Sequence, residues 1–304
     1  MRAFILRLIL LILMLVAVLF AVPSGALLVN AYAMELSGEG IVPLPIDNTP
    51  GYAPNKACYL SDGTGYEDAT LQVHIEIVRA YETTIQVIRV KIADPSQIRT
   101  AMSAQYGHTS VSAGATIARR NNAILAINGD FFSFHNRGYL VRQGKLFRNR
   151  PDGSFDTLII DDQGDLHIIP KATGEKLAAF QGVMVNTFNF GPGLVIDGNM
   201  VPSFEENDST VPNKRTQRIC IGQTGPLSYL CIATEGPENK GSQGLLLTEI
   251  AQLAYDYGCV NAYNLDGGSS STVVLNNKKI NALSTGKTRS ICDILYFATA
   301  IPEQ

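Results

Sequence analysis

Between Ala262 and Val274 the chain reads AYNLDGGSSSTVV, an apolar run cut short by an aspartate, two glycines and a row of hydroxyl side chains. The apolar residues 260–265 have the length and composition of a buried strand, and a strand that meets Asp-Gly-Gly ends there. Gly267 and Gly268 permit backbone angles that other residues resist. Their N–H groups can then turn towards an anion, with Ser269, Ser270, Ser271 and Thr272 adding hydroxyls around it. A tight hairpin turn with its polar residues in water accounts for the same segment. Upstream, Thr248 is placed to cap a helix, with Glu249 near its positive end. Ile250, Leu253, Ala254 and Tyr257 form the apolar stripe, and Gly258 is the terminator. A second helix over 113–121, behind a Ser112 cap, runs into the apolar stretch 123–128 and the turn Asn128-Gly129-Asp130. One device is used twice: helix, apolar strand, acidic glycine-containing turn.

Strand patterns outnumber helical ones. Alternating residues at 71–77 and 85–92 are joined by strand-like stretches at 157–161, 166–169, 217–222, 229–234, 273–275 and 291–298. With 304 residues and 46% apolar content the chain can bury a substantial core. The expected fold class is α+β, a single domain over 71–304 of predominantly antiparallel β-sheet with a few packed helices.

The ends and the cysteines bear on compartment. Arg2 and Arg7 flank or interrupt an apolar run at 8–22, and Ala31-Tyr32-Ala33 fits a small-x-small cleavage site with a mature start near Met34. Residues 1–33 therefore read as a signal peptide, or an uncleaved signal anchor, which makes the protein extracytoplasmic and limits membrane contact to that segment. Residues 34–70, rich in Gly, Pro, Asn and Asp, read as a linker or extended arm. Five cysteines leave at least one thiol unpaired within the chain. Cys220 and Cys231 lie symmetrically about the turn 223–228 and would face each other across a hairpin, and Cys259 and Cys292 begin two strands that could be neighbours. Small buried thiols are preferred over these two bridges. The balance of 24 basic against 27 acidic side chains lacks the footprint of a nucleic-acid binder.

The first acidic turn continues as AINGDFFSFHNRG over 126–138, setting Asn128, Asp130, His135 and Arg137 among three phenylalanines. Aromatic faces beside a carboxylate suit a sugar, and they suit a core edge equally. With NGDFF at 128–132, QRICIG at 217–222, TEGPENKGSQGLLLTEIAQLAYDYGCVNAYNLDGGSSSTVV over 234–274 and TRSICDILYF at 288–297 in this order, the chain resembles the phosphodiester glycosidase domain family over roughly residues 71–300. The resemblance implies hydrolysis of a sugar-1-phosphodiester such as an N-acetylglucosamine-1-phospho linkage. The expected substrate is a phosphosugar or an envelope polysaccharide. A non-catalytic phosphosugar-binding module and a role in exopolysaccharide biosynthesis or modification are the alternatives.

The chemistry asks for cations and donors at phosphate and carboxylates near the anomeric carbon. Arg218 and Arg289, at the family's arginine positions, would grip phosphate in a fork that lysine cannot form. Asp266 is the expected nucleophile or base on water, with Asp130 its partner. Glu235 is a candidate second acid or a ligand for sugar hydroxyls, and Ser242 lies in the same loop. Asn128, Gly129, Asn264, Gly267, Gly268 and Ser269 complete the expected substrate-binding set. Asp293, a charge in an apolar strand, reads as a partner for an arginine or as an edge-strand charge. GGSSS lacks nucleophile-elbow spacing, His74, His108, His135 and His167 form no zinc motif, and residues 161–165 lack a full calcium-loop pattern. The reaction requires no cofactor, and a divalent metal bridging phosphate and Asp266 is compatible with it.

Overall fold

The computed structural model describes residues 35–108, 110–205, 211–239, 241–282 and 289–302. The export segment expected at 1–33 lies outside them. In chain order the strands are β1 (Gly65–Glu67), β2 (Leu71–Ala80), β3 (Thr83–Ile92), β4 (Ile98–Met102), β5 (Leu125–Asn128), β6 (Gly138–Arg142) and β7 (Lys145–Arg150). They continue as β8 (Thr157–Asp161), β9 (Leu166–Ile169), β10 (Met184–Phe188), β11 (Gly193–Ile196), β12 (Asn199–Met200), β13 (Ile219–Gly225) and β14 (Ser228–Thr234). The last four are β15 (Asn261–Leu265), β16 (Val273–Leu275), β17 (Lys278–Lys279) and β18 (Asp293–Phe297). The α-helices of the described residues are α1 (Gly114–Arg120), α2 (Gly174–Ala178) and α3 (Leu247–Asp256).

An eight-stranded sheet runs β1-β2-β3-β14-β13-β15-β11-β12, a five-stranded sheet β17-β16-β5-β18-β4, a three-stranded sheet β10-β8-β9, and β6-β7 form a ribbon. All these pairings are antiparallel, and the expected α+β class with predominantly antiparallel sheet is what the chain adopts. Side-chain alternation assigns the layers. Ile219, Ile221, Tyr263 and Leu265 of the large sheet meet Leu125, Ile127, Leu295 and Phe297 of the five-stranded sheet in the central core. Cys220, between the two isoleucines, and Ala262, next to Tyr263, point the other way, against Ile250, Ala251 and Ala254 of α3. On the far side Ala126, Ile294 and Tyr296 pack against Ile117 and Ala118 of α1. The result is helix, sheet, sheet, helix. Strands buried on both faces explain why 123–127 and 294–298 read as unbroken apolar runs instead of alternations.

Several local expectations change. Leu246, not Thr248, is the N-cap of α3, because the Glu249 carboxylate folds back to accept from Leu246 N at 2.8 Å. Ala113, not Ser112, precedes α1 and makes no side-chain cap, while the Ser112 backbone pairs with Ile291. All five cysteines are free. Cys231 sits opposite Ile221, one residue out of register with Cys220, so the two thiols face opposite layers. Cys259 lies in the α3 core and Cys292 against Phe132 and Leu140. The stretch expected as a linker is laid on the body: Leu44 enters the α1 core, β1 adds to the large sheet, and the buried Arg99 guanidinium donates to the carbonyls of Pro45, Asp47 and Thr49.

Candidate active site

β5 and β15 belong to different sheets, and their C-terminal turns are tied by one side chain. Asn128 Nδ2 donates to the Asp266 carbonyl at 2.8 Å, while its Oδ1 accepts from Thr272 N at 2.9 Å. An amide alone among these residue types offers a donor and an acceptor from one rigid plane, which suits a 1%-exposed position bridging two backbones. The two acidic turns therefore form one wall of a pocket of about 340 Å³, a volume fit for a small ligand. Asp266, Asp130, Ser270 and Asn128 supply its polar side. Phe131, Phe134 and Phe190 face them, with Phe131 and Phe190 edge to face at 5.3 Å and Phe134 57% exposed at the rim. Arg289 and Ser290 close the remaining side.

Asp266 is partly open to the pocket, yet the protein around it displaces most of its water. That desolvation raises its pKa above the ordinary aspartate value, offset by the Ser270 hydroxyl and the positive charge of Arg289 and reinforced by the negative charge of Asp130. Among the described residues it is the pocket carboxylate whose oxygens are not fixed by an ion pair.

Asp130 is placed differently from expectation. Its Oδ1 accepts from Phe132 N at 3.1 Å and from Arg142 Nη2 at 3.2 Å, and its Oδ2 from Asn189 N at 2.8 Å. Its side chain is sealed from solvent, and although Asp130 lines the pocket beside Asp266, its oxygens are engaged by Arg142 and by the backbone next to Phe131 and Phe190. Arg142 is the hub. Its Nη2 also reaches Asp293 Oδ2 at 2.6 Å, its Nη1 donates to the Thr187 carbonyl, and its guanidinium lies 4.5 Å from the Phe188 ring centre. Asp293 is thus the arginine partner that its position suggested, and the arginine is Arg142. Gly129 is there for space, since a Cβ at that position would collide with the Asp293 carboxylate.

The remaining candidates do not reach the pocket. Arg218 lies just ahead of β13, and its guanidinium donates to the carbonyls of Leu245, Val211 and Lys214 at 3.0, 2.7 and 3.1 Å. It pins the chain leading into α3. We expect Arg218→Lys to lower folding stability by about 1–3 kcal/mol, because a lysine cannot reach three diverging carbonyls, with KM for any phosphodiester unchanged; a melting curve and steady-state kinetics check both. Glu235 and Ser242 bond to each other at 2.5 Å, and Glu235 lines a separate cleft. Asn264 Nδ2 donates to the Gly191 carbonyl. Gly267 abuts the Gln217 carbonyl, and Gly268, at φ +55°, donates its N–H to that same oxygen at 2.8 Å. That N–H is engaged and does not form the anion cradle expected of it. Ser269 is partly exposed and is not among the pocket-lining residues, a place taken by Ser270. Arg142, Asn189 and Phe190 escaped the sequence reading. A lone arginine ending the apolar run GYLV was the available sign for the first; nothing local marks the other two.

Residues 121–298, more than half of the chain, match the model of the phosphodiester glycosidase family. The chain belongs to that family. The chain's fold is similar to that of the zebrafish N-acetylglucosamine-1-phosphodiester alpha-N-acetylglucosaminidase catalytic domain, auto-inhibited by its pro-peptide: TM-score 0.63 at 17% identity, covering 87% of this chain and 100% of that one. A hypothetical protein from Synechocystis aligns at TM-score 0.51 and 18% identity over 75% of this chain and 62% of its own. By sequence, the uncharacterized SPbeta prophage-derived protein YomE of Bacillus subtilis strain 168 is 23% identical over 240 residues, or 75% of this chain. This phosphodiester glycosidase domain spans 37% of that relative's length.

Proposed function

We propose that the protein is an extracytoplasmic hydrolase that cleaves sugar-1-phosphodiester linkages in an envelope polysaccharide or related glycoconjugate. One observation carries the reading: Asp266, a desolvated carboxylate, shares a small pocket with Arg289, the one arginine among its described lining residues, and an aromatic wall. The aromatic faces of Phe131, Phe134 and Phe190 suit the apolar face of a sugar ring, and Arg289 suits the phosphodiester. Asp266 then attacks the anomeric carbon or deprotonates the water that does so. The departing phosphate monoester is stable as an anion and needs no proton from the enzyme, so the locking of Asp130 by Arg142 does not deprive the reaction of a required acid. The zebrafish relative's name makes N-acetylglucosamine-1-phosphodiesters the first substrates to try. Export rests on the apolar run 8–22 and the Ala31-Tyr32-Ala33 site.

The test is mass-spectrometric analysis of products after incubating the chain with UDP-N-acetylglucosamine, sugar-1-phosphodiesters and teichoic-acid fragments. Free sugar released by the unmodified chain supports the proposal. Phosphosugar binding without any product moves the protein to the rival class, a binding module.

The pH dependence has a definite sign. If the ionised Asp266 is the working form, kcat/KM rises as the carboxyl loses its proton, and burial sets that acid limb above the ordinary aspartate range. Arg289 pulls in the opposite direction. Arg289→Gln is therefore expected to move the acid limb to higher pH as well as to raise KM. An acid limb that stays in place in Arg289→Gln profiles would detach Asp266 from the titration.

A further inference from the structure

Glu235 and its neighbours form a second cleft of about 320 Å³ whose chemistry differs from that of the Asp266 pocket. Its lining holds one carboxylate, the side chains of Thr84 and Gln86, and Ile77, an aliphatic residue 60% exposed, with no lysine or arginine among the described residues. Among the described lining residues a phosphate finds no cation to pair with. The carboxylate is fixed in advance: Glu235 N donates to the Thr84 carbonyl at 3.0 Å, Ser242 Oγ donates to Glu235 Oε2 at 2.5 Å, and Thr84 N donates to Ser242 Oγ at 3.2 Å. Glu235 Oε1 accepts no hydrogen bond from the described residues. Gln86 Nε2 is held by the Ile280 carbonyl at 3.1 Å, while Gln86 Oε1 is buried and has no partner. A carboxylate oxygen that meets no donor among the described residues, in a cleft rimmed by an exposed aliphatic side chain, complements a ligand that brings hydroxyl donors and an apolar C–H face.

The two clefts open at one end of the sandwich. Ile219 of β13 is paired with Ala233 of β14 on one side and with Leu265 of β15 on the other. The residues that follow, Thr234-Glu235 and Asp266, therefore leave the same edge of the large sheet with one strand between them, roughly 10 Å apart at two strand spacings. Gln217 forms the partition, donating from Nε2 to the Ala282 carbonyl at 2.9 Å and accepting from Gly268 N.

We infer that the Glu235 cleft is an accessory saccharide site that binds an uncharged sugar unit, so that the substrate is a glycan chain with its phosphodiester at Asp266 and a neutral stretch beside it. This rests on the glycosidase reading for its role in turnover, while the cleft itself is tested without phosphate. The full chain is titrated, by ligand-observed NMR, with short phosphate-free oligosaccharides of glucose, galactose, mannose and N-acetylglucosamine. At least one series is expected to bind. Glu235→Gln and, independently, Ile77→Arg are expected to weaken that binding about tenfold or more, and Asp266→Asn to leave it unchanged. Ile77→Arg lies on the exposed rim and leaves the Glu235-Ser242-Thr84 network intact, so it reports on the cleft even if Glu235→Gln disturbs folding. No binding in any series, or equal binding by both cleft variants, overturns the inference. Phosphodiester hydrolysis without cleft-dependent binding removes the cleft alone; cleft-dependent binding without hydrolysis of any phosphodiester removes the glycosidase reading and leaves the saccharide site standing.

Discussion

Asp266→Asn abolishes sugar release, by about a thousandfold or more on the scale of lost general-base or nucleophilic catalysis, and leaves the melting temperature unchanged or raised. The two halves of this expectation have one cause. Desolvation lifts the folded-state pKa of Asp266 above the unfolded value, so its stability contribution is fully present below the unfolded pKa and lost as pH rises through the folded one. At neutral pH the ionised carboxylate therefore opposes folding. An asparagine keeps an acceptor for the Ser270 hydroxyl, carries no charge to desolvate and cannot act as nucleophile or base. Kinetics of product release beside a thermal melt of the same samples decides the matter. A variant that keeps most of its turnover places the chemistry on another group, and one that melts well below the parent shows Asp266 holding the turn together.

Arg142→Met is expected to be the most damaging single change to the fold near the site. It leaves the Asp130 and Asp293 carboxylates buried without a counter-charge, for which breaking a buried ion pair gives a scale of about 3–5 kcal/mol and, for a domain of this size, a fall in melting temperature on the order of 10 °C. Among the described residues Arg142 is the guanidinium ion-paired to both carboxylates. Burial pushes the Asp293 carboxyl above its ordinary range while Arg142 pulls it back, and the same two aspartates favour the charged guanidinium of Arg142. Adding Asp130→Asn and Asp293→Asn to Arg142→Met should accordingly recover part of the loss, since the orphaned charges, not the missing contacts alone, are its source. Turnover should fall in Arg142→Met as well, because Asp130 orients Phe132 N and Asn189 N beside the aromatic wall. An Arg142→Met protein that melts with the parent refutes the ion cluster as a structural brace.

The success and failure of reading this site from sequence follow the reach of each interaction. Asn128 and Asp266 stood out because each ends an apolar run at a glycine-containing turn, a local pattern visible in a handful of residues. Arg218 looked equally chemical, being a charge at the head of an apolar strand; only the path of 211–214 beneath it shows that its donors go to backbone carbonyls. Glu235 and Ser242 were legible only as polar residues of the loop before the helix; the fold bonds them to each other and sets Glu235 in a separate cleft. Strands β6, β7, β10 and β11 passed unread because they are short and lack clean alternation, although β6 carries Arg142.

What the sequence determined by itself is the set of local rules: apolar runs of strand length, two helices feeding two of them, acidic turns at their ends, and a family-specific order of motifs. Antiparallel sheet dominated by β-structure follows from those. What only the tertiary structure decided is which side each polar group faces and what satisfies it. A one-residue difference in strand register sent Cys220 and Cys231 to opposite layers, and a contact across 151 residues gave Arg142 its second carboxylate. The physical reason is that a buried donor or charge must be paired somewhere in the folded molecule, while the distance along the chain at which its partner lies is free. Of the two aspartates in the pocket, Asp130 is held by Arg142, and Asp266 is in no ion pair among the described residues.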